Sequence, residues 1–163
     1  MHKLVKITKN KNEMIKMKKA YIKKLMIQGI SVTTNNKNEM SEDTQKIAPL
    51  WEKYDKENIY AKTLNKSKDG SFYGVYSNYE SDLNGNYDVT VGLEVTKNKN
   101  AIIIENEKYL LFTKEGELPD VAFELWQEIW DYFAQNDEYK RDYKIDFEKY
   151  SKENEVEIYI SIQ

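Results

Sequence analysis

The residues best suited to chemistry in this chain are carboxylates and aromatic rings that strand alternation sets side by side. Side chains two apart on a strand share a face. In residues 155–162, Val156, Ile158, Ile160 and Ile162 form an apolar face, leaving Glu157, Tyr159 and Ser161 on the other. In residues 142–150, Tyr143, Ile145 and Phe147 read as the core side, which turns Asp146, Glu148 and Tyr150 the opposite way. An antiparallel pair of these strands is expected to gather Glu148, Tyr150, Glu157 and Tyr159 on one face, away from the helix. The first half offers a matching set: Gly74, Tyr76, Asn78 and Glu80 beside Asp88, Thr90 and Glu94. Ring faces attract organic cations, and a nearby carboxylate supplies the countercharge. A partly buried carboxylate otherwise needs a partner or takes up a proton. These residue types therefore point to a site for an aromatic or cationic small molecule.

Other chemistries are excluded by what the chain lacks. Without cysteine there are no disulfides, thiolate metal sites or thiol nucleophiles. The one histidine, His2, lies at the terminus, away from any partner for a triad or a zinc site. Asp82, Asp88, Asp142 and Asp146 do not reproduce a calcium-binding loop. The glycines are too dispersed for a phosphate loop, and no G-x-S-x-G elbow is present. No metal or cofactor is expected. The charge is divided unevenly: residues 1–24 carry nine lysines against Glu13, and the remainder is left at −11 within an overall −3. An acidic body with a single arginine, Arg141, is a poor nucleic-acid reader. It suits cationic or neutral ligands better than phosphates. No apolar run is long enough to span a membrane, and the N-terminus has no secretory signal, so a cytoplasmic protein is expected.

The elements that position these residues occur twice. Residues 20–34 read as a strand with Gly29 as a bulge or point of close approach. Ser41 and Asp43 are candidate caps for a helix carrying Ile47, Leu50, Trp51 and Tyr54. Two strands follow, 71–80 and 87–96, joined across the Asn84-Gly85 turn signal. The second half repeats the order. An apolar run, an interruption and a strand fill 101–114, a helix covers about 119–135 behind Pro119, and the two strands already described come last. LWEKYDKEN in one half echoes LWQEIWDYFAQN in the other. The chain thus reads as an α+β fold, a tandem pseudo-two-fold repeat of strand–helix–strand–strand modules with a cleft between them. Module one is 18–98 and module two 99–163, after a basic extension at 1–17.

The strings IAPLWEKY, YGVYSNYESDLNGNYDVTVGLEV, LWQEIWDYF, RDYKIDFEKY and EVEIYISI resemble the GyrI-like small-molecule-binding superfamily, over roughly 18–163. Its members include the effector-binding domains of AraC-type and MerR-type multidrug regulators. The resemblance implies a ligand cleft between modules, with the key glutamate of a D-F-E-x-Y stretch at Glu148. It also implies aromatic support from Tyr159, with Glu157 beside it, and cleft walls from Trp126 and Tyr76. The seventeen leading residues are too few for a helix-turn-helix unit, so a stand-alone binder, a regulator or drug-sequestering protein, is expected. Two other roles are open to the superfamily. One is hydrolysis of reactive electrophiles, with a glutamate as general base; the other is a gyrase-inhibitor-like interaction with a protein partner. A non-enzymatic binder of hydrophobic, cationic small molecules is the favoured reading.

Overall fold

A computed structural model of the chain describes residues 15–163. The first module contains β1 (Met17–Thr34), the one-turn α1 (Asn36–Glu39), α2 (Ile47–Lys56), the one-turn α3 (Ile59–Lys62), β2 (Phe72–Ser77) and β3 (Tyr87–Glu94). The second contains β4 (Ile102–Glu115), α4 (Asp120–Gln135), β5 (Asp146–Lys152) and β6 (Glu155–Ser161). All strand pairs are antiparallel. They close into a barrel in the order β1-β3-β2-β5-β6-β4. Exchanging β1 with β4, β2 with β5 and β3 with β6 maps this circle onto itself. That invariance is the duplication seen in the sequence. The fold is a mixed α+β one, as expected.

Both faces of the barrel wall are buried, and this decides where the site can lie. One face packs on itself, with Tyr73, Val75, Tyr109, Phe147 and Tyr159 among side chains drawn from strands alone. The other is covered by the helices: Val89, Val91, Ile158 and Ile160 meet Leu50 and Tyr54 of α2 and Leu125 and Ile129 of α4. Apolar residues recur at helical spacing on α2 and α4 because each buries one stripe against the wall. Gly29 faces Gly92 across the β1–β3 ladder. A Cβ on Gly29 would fall 1.8 Å from the Val91 carbonyl oxygen, so the close approach read from the sequence is real.

Several boundaries differ from the sequence reading. The expectation of a basic extension falls, through residue 14, outside the described residues. Met17–Lys19 are already strand, because they pair with Leu110–Phe112 of β4. Residues 102–115 form one continuous strand, with Asn106 at φ +54° taking up the polar interruption. Residues 142–145 lie outside β5, where Tyr143 turns to φ +52°. Neither Ser41 nor Asp43 caps α2; the Glu39 carboxylate accepts from the Lys46 and Ile47 amides at 2.9 Å.

The expected grouping on the last hairpin is also corrected. In the β5–β6 register Phe147 faces Tyr159, Glu148 faces Ile158 and Lys149 faces Glu157. Cross-strand partners share a face, so Glu148 and Tyr150 lie on the helix-covered side and Glu157 and Tyr159 on the strand-only side. The physical reason is that Phe147 fills the interior of the barrel rather than the layer under the helix.

Candidate ligand-binding site

Glu148 sits on the middle of β5 and is 5% exposed. Its Oε2 accepts from the Trp126 indole N–H of α4 at 2.7 Å and from the Tyr76 hydroxyl of β2 at 3.1 Å. The Tyr150 hydroxyl is a third hydrogen-bonding partner. No lysine or arginine forms an ion pair with it among the described residues. Burial raises the Glu148 pKa above the usual carboxylate range, and the hydrogen bonds from Trp126, Tyr150 and Tyr76 oppose that rise only in part. The result is a buried acid solvated by neutral donors and, among the described residues, lacking a countercharge.

The pseudo-two-fold relation explains how the two modules build this arrangement. Five pairs join β2 to β5, from Phe72–Tyr150 to Tyr76–Asp146, and Gly74–Glu148 is the central one. The local axis therefore passes between Gly74 and Glu148, with Tyr76 and Tyr150 as equivalents on either side. Each tyrosine meets a tryptophan edge to face. Tyr76 lies 5.0 Å from Trp126, and Tyr150 lies 5.6 Å from Trp51, the corresponding tryptophan of α2. Two LW dipeptides half a chain apart thus flank one carboxylate.

The Tyr76–Trp126 side opens into a cavity of about 280 Å³. Tyr76 and Trp126 belong to its wall with Tyr79, Tyr87 and Trp130, while Met40, Leu83 and Phe123 stand at its exposed rim. Glu39 contributes a carboxylate at the edge and Arg141 a guanidinium. Glu148 is not itself on the wall: it lies one layer behind, bonded to two side chains that are. Burial pushes the Tyr76 and Tyr79 hydroxyls far above their ordinary range, with Glu148 and Asp146 respectively adding to the effect. Both stay protonated as donors.

An adjoining part of the wall is fixed by a buried ion pair. Asp146, at the start of β5, is fully buried. Its Oδ2 accepts from Arg141 Nη2 at 2.7 Å and from the Tyr79 hydroxyl at 2.6 Å. Its Oδ1 accepts from the Ser161 amide and hydroxyl. The Arg141 guanidinium also lies 4.3 Å over the Tyr143 ring.

Of the residues singled out in the sequence, the structure brings together Glu148, Tyr76, Trp126 and Tyr150. It sets Tyr159 apart, stacked on Phe147 at 4.3 Å, with its hydroxyl donating to Glu157. The sequence reading passed over Tyr79, Tyr87, Arg141 and Tyr143 as wall residues and Gly74 as the space-maker. Only the isolated Arg141 in a lysine-rich chain was a usable signal for the first four. Among the described residues no group of three potential metal ligands forms, and no helix is long and apolar enough to cross a membrane.

A duplicated α+β barrel with a carboxylate held behind an aromatic cavity at its axis defines the class as an effector-binding domain of GyrI-like architecture. Residues 20–162 match the family of integron-associated effector binding proteins, Cass2, and the chain belongs to that family. The integron cassette protein VCH_CASS2 from the mobile metagenome of Vibrio cholerae superposes with a TM-score of 0.75 at 37% identity, over 90% of this chain and 95% of that one. The protein SAV2435, solved bound to tetraphenylphosphonium, has the same fold, with a TM-score of 0.73 at 19% identity over 91% and 94% of the two chains. In Bacillus subtilis (strain 168), the protein named as transcriptional regulator YobU is 30% identical over 148 residues, 83% of this chain and 90% of that protein.

Proposed function

We propose that the protein binds hydrophobic, cationic small molecules in the cavity walled by Tyr76 and Trp126, and that Glu148 supplies the negative charge. The observation that carries this reading is the buried Glu148 carboxylate, which has three neutral donors and, among the described residues, no cation. A cation resting on the Tyr76 or Trp126 face meets the ring quadrupole and, one layer behind, a carboxylate in a low-dielectric setting. Broad rings tolerate different ligand shapes, whereas the charge selects for sign. Tyr150 and Trp51 act from the other side of the axis by holding the carboxylate in place. The family's effector-binding description, a regulator-named relative and a fold relative solved with a bulky aromatic cation all support a sensing or sequestering role.

The test is a Glu148→Gln variant titrated with a cationic dye and with a neutral dye of similar shape. Glutamine keeps an acceptor for Trp126 and Tyr76, so the fold is retained. The cationic dye is expected to lose about tenfold or more in affinity, equivalent to about 1.4 kcal/mol, while the neutral dye changes little. An equal loss for both dyes, or none for either, removes the role assigned to Glu148.

A further inference from the structure

Beside the first cavity lies a second, of about 300 Å³, and the two share Leu83, Trp130, Arg141 and Tyr143 as a common wall. They share Arg141, whose charge Asp146 balances, and differ in the other ionisable groups that line them. The first has Glu39 at its edge and Glu148 behind its aromatic wall. The second is bounded by Lys140 and Arg141, with Asp137 as its one carboxylate. Lys140 makes no ion pair among the described residues.

Arg141 is only half used. Nη2 donates to Asp146 Oδ2, but the buried Nε has no partner, although the side chain is only 8% exposed. Asp146 does not take the second arm, because both its oxygens already accept two hydrogen bonds each. A guanidinium presents its donors in a planar fork that matches a carboxylate.

We propose that the adjoining cavities take one elongated, dipolar aromatic molecule, with its cationic end against Tyr76 and Trp126 and a carboxylate at Arg141 and Lys140. The inference rests on the cation-binding reading and adds a second recognised end to the ligand. Trp130 and Tyr143, common to both cavities, flank the flat middle of such a molecule. Opposite charges at the two ends fix its direction, so the site selects zwitterions over simple cations.

The probes are rhodamine 6G, a cationic ethyl ester, and rhodamine 19, the same ring system with the free carboxylate. Fluorescence anisotropy is read with the full chain and with Lys140→Ala and Arg141→Lys variants. Arg141→Lys keeps a cation for Asp146 but removes the planar guanidinium fork. Lys140→Ala alters an exposed side chain outside that buried network, so the test survives if the arginine variant folds poorly. The wild type is expected to bind the acid about fivefold or more tightly than the ester, a preference of the size one charge-assisted contact gives. That ratio should fall towards one in either variant, with the acid's affinity changing more than the ester's. Equal binding of the two dyes by the wild type, or a ratio unmoved in both variants, overturns the second subsite alone. Failure of the wild type to bind either dye overturns the cation site itself, and this inference with it.

Discussion

Gly74 and Glu148 face each other at the centre of the β2–β5 ladder, and a Cβ on Gly74 would lie 2.7 Å from Glu148 Oε1. At the centre of this ladder the duplicated halves contribute unlike residues: one gives a carboxylate and the other the space it occupies. Trp51 closes the same spot from α2, 3.5 Å from that Cβ position. A single carboxylate fits between the two tryptophan–tyrosine pairs, which is why a symmetric scaffold carries an asymmetric site.

Gly74→Ala should therefore act on binding through crowding. The Glu148 side chain is hemmed in by Trp126, Tyr76 and Tyr150, so its carboxylate has little room to give way. Overpacking of this kind costs about 1–3 kcal/mol. The expected outcome is a lower urea midpoint together with weaker binding of a cationic dye. An alanine variant with unchanged midpoint and affinity would show that the close approach is not a constraint.

Glutamine and alanine at position 148 should behave differently in stability. Glu148→Gln keeps an acceptor for the Trp126 indole and the Tyr76 hydroxyl and removes an acid whose ionised form burial disfavours, so it is expected to leave stability unchanged or slightly higher. Glu148→Ala strands those two buried donors at about 1–3 kcal/mol each, less whatever relaxation recovers. Denaturant curves for the pair of variants check the order. Equal destabilisation by both would mean that charge, rather than hydrogen bonding, holds the carboxylate in the fold.

The doubled strand–helix–strand–strand order was legible because repeat and periodicity are local signals, and a short motif singled out Glu148, which is buried. The partners of Glu148 were less legible. Alternation along β5 and β6 separates two faces within each strand but does not say which face of one matches which face of the other; the register of Glu148 with Ile158 does. The usual guide, apolar inward and polar outward, fails in a wall buried on both sides, where Phe147 and Tyr159 fill the barrel while Ile158 meets the helices. Tyr79 and Tyr143 were unreadable for another reason. They leave regular strand, Tyr143 with positive φ and Tyr79 directly after the positive-φ Asn78, so neither period places them. Gly74 looked like a weak strand residue because its function is spatial and belongs to a partner 74 positions away.

Binding should depend on pH in a direction set by Glu148. Its folded pKa lies above the unfolded value near 4.5. Between those values the native state holds a proton that the unfolded chain has released. This group's contribution to stability is thus fully present below the unfolded value and is lost as pH rises through the folded one. Cation binding runs the other way, because the ligand favours the carboxylate. Affinity for a permanently charged cation is expected to rise with pH through that window and then level off, with a proton released on binding. Calorimetry in two buffers of different ionisation heat measures that release. A flat affinity profile in the wild type, matching that of Glu148→Gln, contradicts the linkage.

The buried Arg141–Asp146 ion pair should matter far more than those at the surface. Asp146 is fully buried and accepts four hydrogen bonds that tie Arg141, Tyr79 and Ser161 together. Asp146→Ala removes the countercharge and leaves Arg141 buried and unpaired, a change that costs about 3–5 kcal/mol. Lys144 lies only two residues away and bridges Asp142 and Glu107, but its side chain is 56% exposed and solvent screens both contacts. Lys144→Ala is expected to change stability by less than about 1 kcal/mol. The Tyr79 and Tyr143 rings take their places from this network, so Asp146→Ala should also weaken ligand binding in whatever fraction remains folded, whereas Lys144→Ala should not. Thermal melts and dye titrations on the two variants measure both effects, and a small loss on both counts in Asp146→Ala would show that the wall is held by packing alone.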